Sequence, residues 1–331
     1  MQRWKAACAV ALVSTVSSLS ADALQRAFVS STGNDSNTAS NCILTGPCRT
    51  FAAAMTVVDP NGEIVALDAA GYGSVVINKS VTITANPGFY AGISAATGNA
   101  VTINTAGVVV TLRGLNLNGV GAEKGIWMGD GAKLSVENCV ISNFSIAGIQ
   151  VAAAATVRIS DVNIRDNGQF GLLVHDGSNT SVTRALVSGN GVTGVFVSSS
   201  SPGTTTVADV ADSTLSGNGA GMHAFVNGVV AEIFASIRDS RVVQNENGVS
   251  SNGGPAGGQA RFTITNNLIT NSAKGILIQN SGGKGWITGN TISHNDVGIS
   301  NEGGVAESAG DNAIRNNTTN TTGTILTVAK Q

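Results

Sequence analysis

GIWMGDG at 125–131, GIQVAAA at 148–154, GLLVHDG at 171–177 and GVFVSSS at 194–200 are one phrase restated. The leading glycine returns at Gly221, Gly248, Gly275 and Gly298, so the eight are spaced by 23, 23, 23, 27, 27, 27 and 23 residues. Behind each glycine the apolar residues alternate, with Ile126 and Met128, Ile149 and Val151, Leu172 and Val174, Val195 and Val197 on one side. A period of two belongs to a strand, not a helix. One such unit has too little apolar surface to fold alone, so neighbours must stack on it and share a core.

Two further beats run through the units. The first is N-x-x-I in character: Asn138 to Ile141, Asp161 to Ile164, Arg184 to Val187, Asp212 to Leu215, Asp239 to Val242, with Asn267 and Asn290 read into the same column. The second is Asn143, Asn167, Asn190, Asn218, Asn245, Asn271 and Asn295, each three to five residues before the next glycine. Asparagine tolerates left-handed backbone and bonds to neighbouring turns, so such columns suit the corners of a stacked coil. The expected fold is all-β: a single right-handed parallel β-helix of about ten coils. Leucine-rich repeats are the nearest competitor, and their leucine framework is missing. The units starting at Gly194, Gly221 and Gly248 are longer, and their extra residues are expected as loops that build a wall beside the outward strip.

Of 331 residues only 11% are charged and 4% aromatic, with 42 glycines, which suits short strands and tight turns and counts against a helical enzyme. Net charge is −2 without a basic stripe, so nucleic acid is not an expected partner. Residues 1–23 carry Arg3 and Lys5, an apolar run and Ala21-Asp22-Ala23, the pattern of a cleavable signal peptide that also removes Cys8. The protein is expected to be secreted, periplasmic or at the cell surface, monomeric and not inserted in a membrane. Cys42 and Cys48 flank a tight turn and are expected to form a disulfide in such a compartment. Cys139 aligns with Val162 and Ala185 and is expected to be a buried thiol. Phe51, Met55 and Val58 fall on one helical face before Asp59-Pro60-Asn61-Gly62, an N-terminal helical cap. The expected divisions are 1–23, 24–62 for disulfide loop and cap, and 63–331 for the β-helix.

RAFVSSTGNDSN at 26–37, GPCRTFAAA at 46–54, AAGYGSVVINKSVTI at 69–83 and the repeated NxIxxN units resemble secreted bacterial right-handed β-helix proteins of the pectate-lyase-like superfamily. The resemblance covers Leu24 to Gln331. It implies fold and cap but not activity, because that superfamily holds lyases, hydrolases, epimerases and esterases beside adhesins. The chain has no Asp-Pro-His, Gly-His-Gly or Asp-Asp, the groups that the resemblance would require for the enzymes.

Three candidate sites remain. Asp161, Arg184, Asp212 and Asp239 align on successive coils, so Asp212 and Asp239 would be like charges able to share a proton or a cation; the competing reading is an Asx corner. His175-Asp176, with Asp130 two coils earlier, offers an acid or base, against a surface histidine. His223 and His294 are read as surface histidines. The outward positions Trp127, Gln150, Leu173, Phe196, His223, Ser250, Leu277 and Ser300, with Phe225, offer a binding strip, against a loop that covers it. The favoured function is non-catalytic binding of polysaccharide or a cell-surface protein through Trp127, Phe196, His223 and Phe225. The alternative is a lyase on acidic polysaccharide, using Asp212, Asp239, Arg184 or His175. No cofactor is expected, with calcium a candidate ligand only under the lyase reading.

Overall fold

Each unit folds as three strands divided by two sharp corners and one wider turn, and strands of successive units pair in parallel. The structure, a computed structural model, describes residues 25–254 and 256–329. Ala147–Val151, Thr156–Ser160 and Asn163–Arg165 make one coil. We name their sheets C, A and B; sheet A has 13 strands, and sheets B and C have 11 each. The result is a parallel β-solenoid. The register keeps like on like: Ile126, Ile149, Leu172, Val195, Met222, Val249, Ile276 and Ile299 form one column of sheet C. All are fully buried.

The corners explain the polar beats. Asn138, Asp161, Arg184, Asp212, Asp239 and Asn266 turn the chain from sheet A to sheet B with left-handed backbone, φ between 50° and 56°. Asn143, Asp166, Gln244, Asn271, His294 and Asn316 do the same between B and C. The residue after each corner points inward. Thus Asn267 and Asn290 belong not with Asn138 but one residue on, in a buried column with Cys139, Val162, Ala185, Ser213 and Ser240. The second buried column likewise contains Phe144 and Ser272 rather than Asn143 and Asn271. The sequence reading merged each corner with its buried neighbour because both positions favour asparagine. Along the second column Asn167 Nδ2 donates to Asn190 Oδ1 at 2.9 Å, Asn190 Nδ2 to Asn218 Oδ1 at 2.9 Å and Asn218 Nδ2 to Asn245 Oδ1 at 3.1 Å. Asn167, Asn190 and Asn218 each find a partner in the next coil, and Asn245 Nδ2 donates back to Leu215 O at 3.1 Å.

Arg26–Val29 pairs with Glu63–Ala66, so sheet A begins before residue 63. Between these strands, helix α1 (Phe51–Val57) is capped by Thr50, whose Oγ1 accepts from Ala53 N at 3.1 Å. It buries Phe51, Ala54 and Met55 against Arg26–Val29, Gly62–Ala66 and Val75–Ile77, the first rungs of the stack. Cys42 and Cys48 are disulfide-bonded with Cα atoms 5.0 Å apart. The expected signal peptide and Cys8 lie outside the described residues. Among the described residues, no helix is long and apolar enough to cross a membrane.

The longer units correct one expectation. Thr193–Ser199 and Thr205–Ala211 each have seven residues, where Phe170–Val174 and Asn179–Thr183 each have five. The extra residues extend strands in sheets C and A instead of forming a loop wall. Three adjacent units lengthen together, so the additions pair with one another, as Ser198 with Phe225 and Phe225 with Asn252. Backbone groups that find ladder partners have no reason to remain in a loop.

Candidate functional site

The outward positions of sheet C align as the alternation requires: Trp127, Gln150, Leu173, Phe196, His223, Ser250, Leu277 and Ser300. Phe170, just before the glycine of its unit and missed by the sequence reading, stacks on Phe196 with centroids 5.2 Å apart and planes 11° apart. Phe196 meets His223 at 5.3 Å, and His223 meets Phe225 at 6.0 Å. These rings form a row along the solenoid, and all four are half-buried. Because the rings lean on one another, their faces are engaged within the row. Trp127 differs: its indole lies 2.6 Å from where a Cβ on Gly129 would sit. The bare glycine lets the indole lie against its own strand.

Burial pushes the His223 imidazole down to about 4, and its Nε2 is buried without a hydrogen-bond partner. Burial also lowers His175, opposed by the Asp176 charge, and His175 Nε2 lies 3.3 Å from Gln150 Nε2. Gln150 Oε1 is buried and unpartnered as well. Among the described residues, His175 and Asp176 share no side-chain hydrogen bond and turn to different partners. Burial would raise the Asp176 carboxyl, yet hydrogen bonds from Ser200 and Ser201 hold it at about 2. Its Oδ1 accepts from Ser200 N at 2.6 Å and Ser201 N at 3.1 Å, and Oδ2 from Ser201 Oγ at 2.8 Å. Asp176 thus ties down the corner of the next coil. Asp130 Oδ1 accepts from Gly131 N in its own turn.

The aligned charges sit on the left-handed corner between sheets A and B, exposed. Arg184 Nε and Nη2 grip both oxygens of Asp161 at 2.7 and 2.6 Å, which lowers Asp161 and raises Arg184. Asp239 lies 3.5 Å from Arg238. Asp212 and Asp239 thus occupy adjacent coils of this left-handed corner, with Arg184 on the coil before Asp212 and Arg238 beside Asp239. His175 lies beyond sheet C, in the turn toward sheet A, so the four lyase candidates do not converge. Among the described residues, no three His, Cys, Asp or Glu side chains come together to hold a metal ion. Cys139 is free and buried, with burial pushing its thiol up to about 11.

Residues 14–211 match the family model for the right-handed β-helix region. The chain belongs to the right-handed β-helix family. Residues 228–325 of this β-helix protein also match the model for periplasmic copper-binding protein NosD. That segment has no cysteine or methionine, and its one histidine, His294, is exposed at a corner. Copper favours thiolate, thioether and clustered imidazole, so the donors of this segment do not fit it. The crystal structure of pectate lyase Pel9A is similar at 15% identity over 91% of this chain and 77% of that chain, with a TM-score of 0.54. The Azotobacter vinelandii mannuronan C-5 epimerase AlgE4 A-module is similar at 15% identity over 82% and 91%, with a TM-score of 0.53. At these identities the likeness is one of fold. No curated protein matches the chain.

Proposed function

We propose that this β-helix protein binds an extracellular polysaccharide along the outer face of sheet C without chemically altering it. The observation that carries the reading is Trp127, an indole laid over Gly129 and half-buried, in line with the Phe170–Phe196–His223–Phe225 row. A flat indole suits the apolar face of a sugar ring. Rungs are about 4.8 Å apart, close to the length of one pyranose, so successive sugars match successive coils. The disulfide supports an extracytoplasmic location. The relatives by fold include proteins named for action on pectate and mannuronan.

Affinity electrophoresis in gels containing pectate, alginate, glycosaminoglycan or neutral glucan tests this. Trp127→Ala, and Phe196→Ala combined with Phe225→Ala, should each weaken retention by about tenfold, equivalent to about 1.4 kcal/mol. Unchanged retention with a lowered melting temperature would make these rings structural only. The lyase reading draws on His175, half-buried beside Gln150. It requires an ultraviolet rise from unsaturated uronate products, with or without calcium, lost in His175→Ala.

A further inference from the structure

The outer face of sheet A carries a pocket that shares no residue with the strip on sheet C. Strands Glu232–Arg238, Gln259–Thr265, Gly283–Thr288 and Val305–Ser308 are successive rungs there. Their register places Arg261 directly beside Lys284, and Trp286 between Thr263 and Glu307. Together these residues line an open cavity of about 340 Å³.

Like charges directly opposite on adjacent strands repel unless something neutralises them. Arg261 is only partly satisfied: Nη2 donates to Glu232 Oε1 at 3.0 Å, the guanidinium lies 5.6 Å over Phe234, and Nε is buried without an acceptor. The ammonium of half-buried Lys284 makes no hydrogen bond or ion pair with any described residue. The pocket therefore sets two adjacent cations beside an indole that is flanked by a hydroxyl on one rung and a carboxylate on the other.

We propose that this pocket binds a sugar ring bearing an anionic substituent, carboxylate or sulfate. The anion sits between Arg261 and Lys284, where charge-assisted hydrogen bonds are strongest. The ring rests on Trp286, and its hydroxyls turn to Thr263 and to Glu307, which accepts from them. The polarity of the pocket, cations at one end and Glu307 at the other, selects one orientation. The proposal shares the ligand class of the glycan-binding reading but not its surface.

Tryptophan fluorescence of the full chain carrying Trp127→Phe, which removes the indole of the sheet C strip from the signal, titrated with a galacturonate oligosaccharide, a sulfated disaccharide and their neutral counterparts, tests it. One or both acidic sugars should change the emission, the neutral ones should bind at least about tenfold more weakly, and the response should vanish in Trp286→Phe. Lys284→Glu should weaken binding by about tenfold or more, with its circular dichroism unchanged. The carboxylate and sulfate arms identify which anion is taken. Phe196→Ala with Phe225→Ala should leave this response intact even where it abolishes retention in polysaccharide gels, which separates the two surfaces. Equal binding of neutral and acidic sugars, parent-like affinity in Lys284→Glu, or no response to either acidic sugar would overturn the proposal.

Discussion

The recurring glycine is required by closeness, not by backbone angle. A Cβ on Gly171 would lie 2.6 Å from the carbonyl oxygen of Gly194 and 2.8 Å from a Val187 methyl, and Gly148 and Gly194 are similarly placed. Backbone cannot retreat from such an overlap, so Gly171→Ala should lower unfolding free energy by about 1–3 kcal/mol in urea. The matched control is Gly203→Ala, where φ is +75° and nothing lies within 4 Å; it should cost about 1 kcal/mol from strain alone. Asn190 has a different task, accepting from Asn167 N and Nδ2 and donating to Asn218. Asn190→Leu strands buried amides on both sides and should cost about 2–4 kcal/mol by the same measurement. His223 makes stability depend on pH. Its folded pKa of about 4 lies below the ordinary value of 6.5, so the unfolded chain takes up a proton that the folded chain refuses. This contribution is intact above pH 6.5 and is lost as pH falls toward 4, by about 3 kcal/mol at most. His223→Phe should flatten that part of the curve measured by urea unfolding.

Among the elements, the corner after Thr193–Ser199 is held by the Asp176 carboxylate together with Thr204, whose Oγ1 donates to Ser201 O at 2.7 Å. Asp176 accepts from Ser199, Ser200 and Ser201, a turn that otherwise has little to bury. Asp176→Ala should raise hydrogen exchange at Ser200 and Ser201 several-fold while the column through Val195 stays protected, because opening there is local. An unchanged exchange pattern would show that the paired strands, not the carboxylate, hold the corner. The same element shows why two sequence expectations failed. His175 and Asp176 are neighbours in the chain, but consecutive residues leaving a strand diverge, and Asp176 turns to the next coil. The extra residues of the longer units read as loop, with serine, threonine, glycine and proline prominent in SSSSPGTTT and NGGPAGGQA though not in VNGVVAEIF, yet ladder partners in adjacent units drew them into strands.

For the whole molecule, every coil contacts only its neighbours, so stability is expected to add up along the axis. Removing 148–170, one complete 23-residue unit, joins Ala147 to Gly171 with the register of all three sheets preserved. The shortened chain should keep its β-type circular dichroism and unfold with a lower dependence on urea, in proportion to the surface lost. Collapse to an unfolded spectrum would show that the stack depends on that coil specifically. The sheet A pocket was not legible from the beat: Arg261 and Lys284 are 23 residues apart, as are Thr263 and Trp286, while Gly248 and Gly275 of the same units are 27 apart, so the strand pairing is what makes them neighbours.

The sequence by itself determined the solenoid, the inward columns, the outward strip and the Cys42–Cys48 disulfide. A repeat with period-two alternation has one way to bury its apolar side, and a fixed beat sets which residues meet. Tertiary structure alone decided which polar residues are corners and which are buried ladders, since both positions accept asparagine and differ only in where the side chain points. It also decided that Arg184 pairs with Asp161, that Trp127 lies over Gly129, and that Arg261 and Lys284 share a pocket with Trp286. Those outcomes depend on side-chain direction and on vacant space between rungs, which linear spacing does not encode.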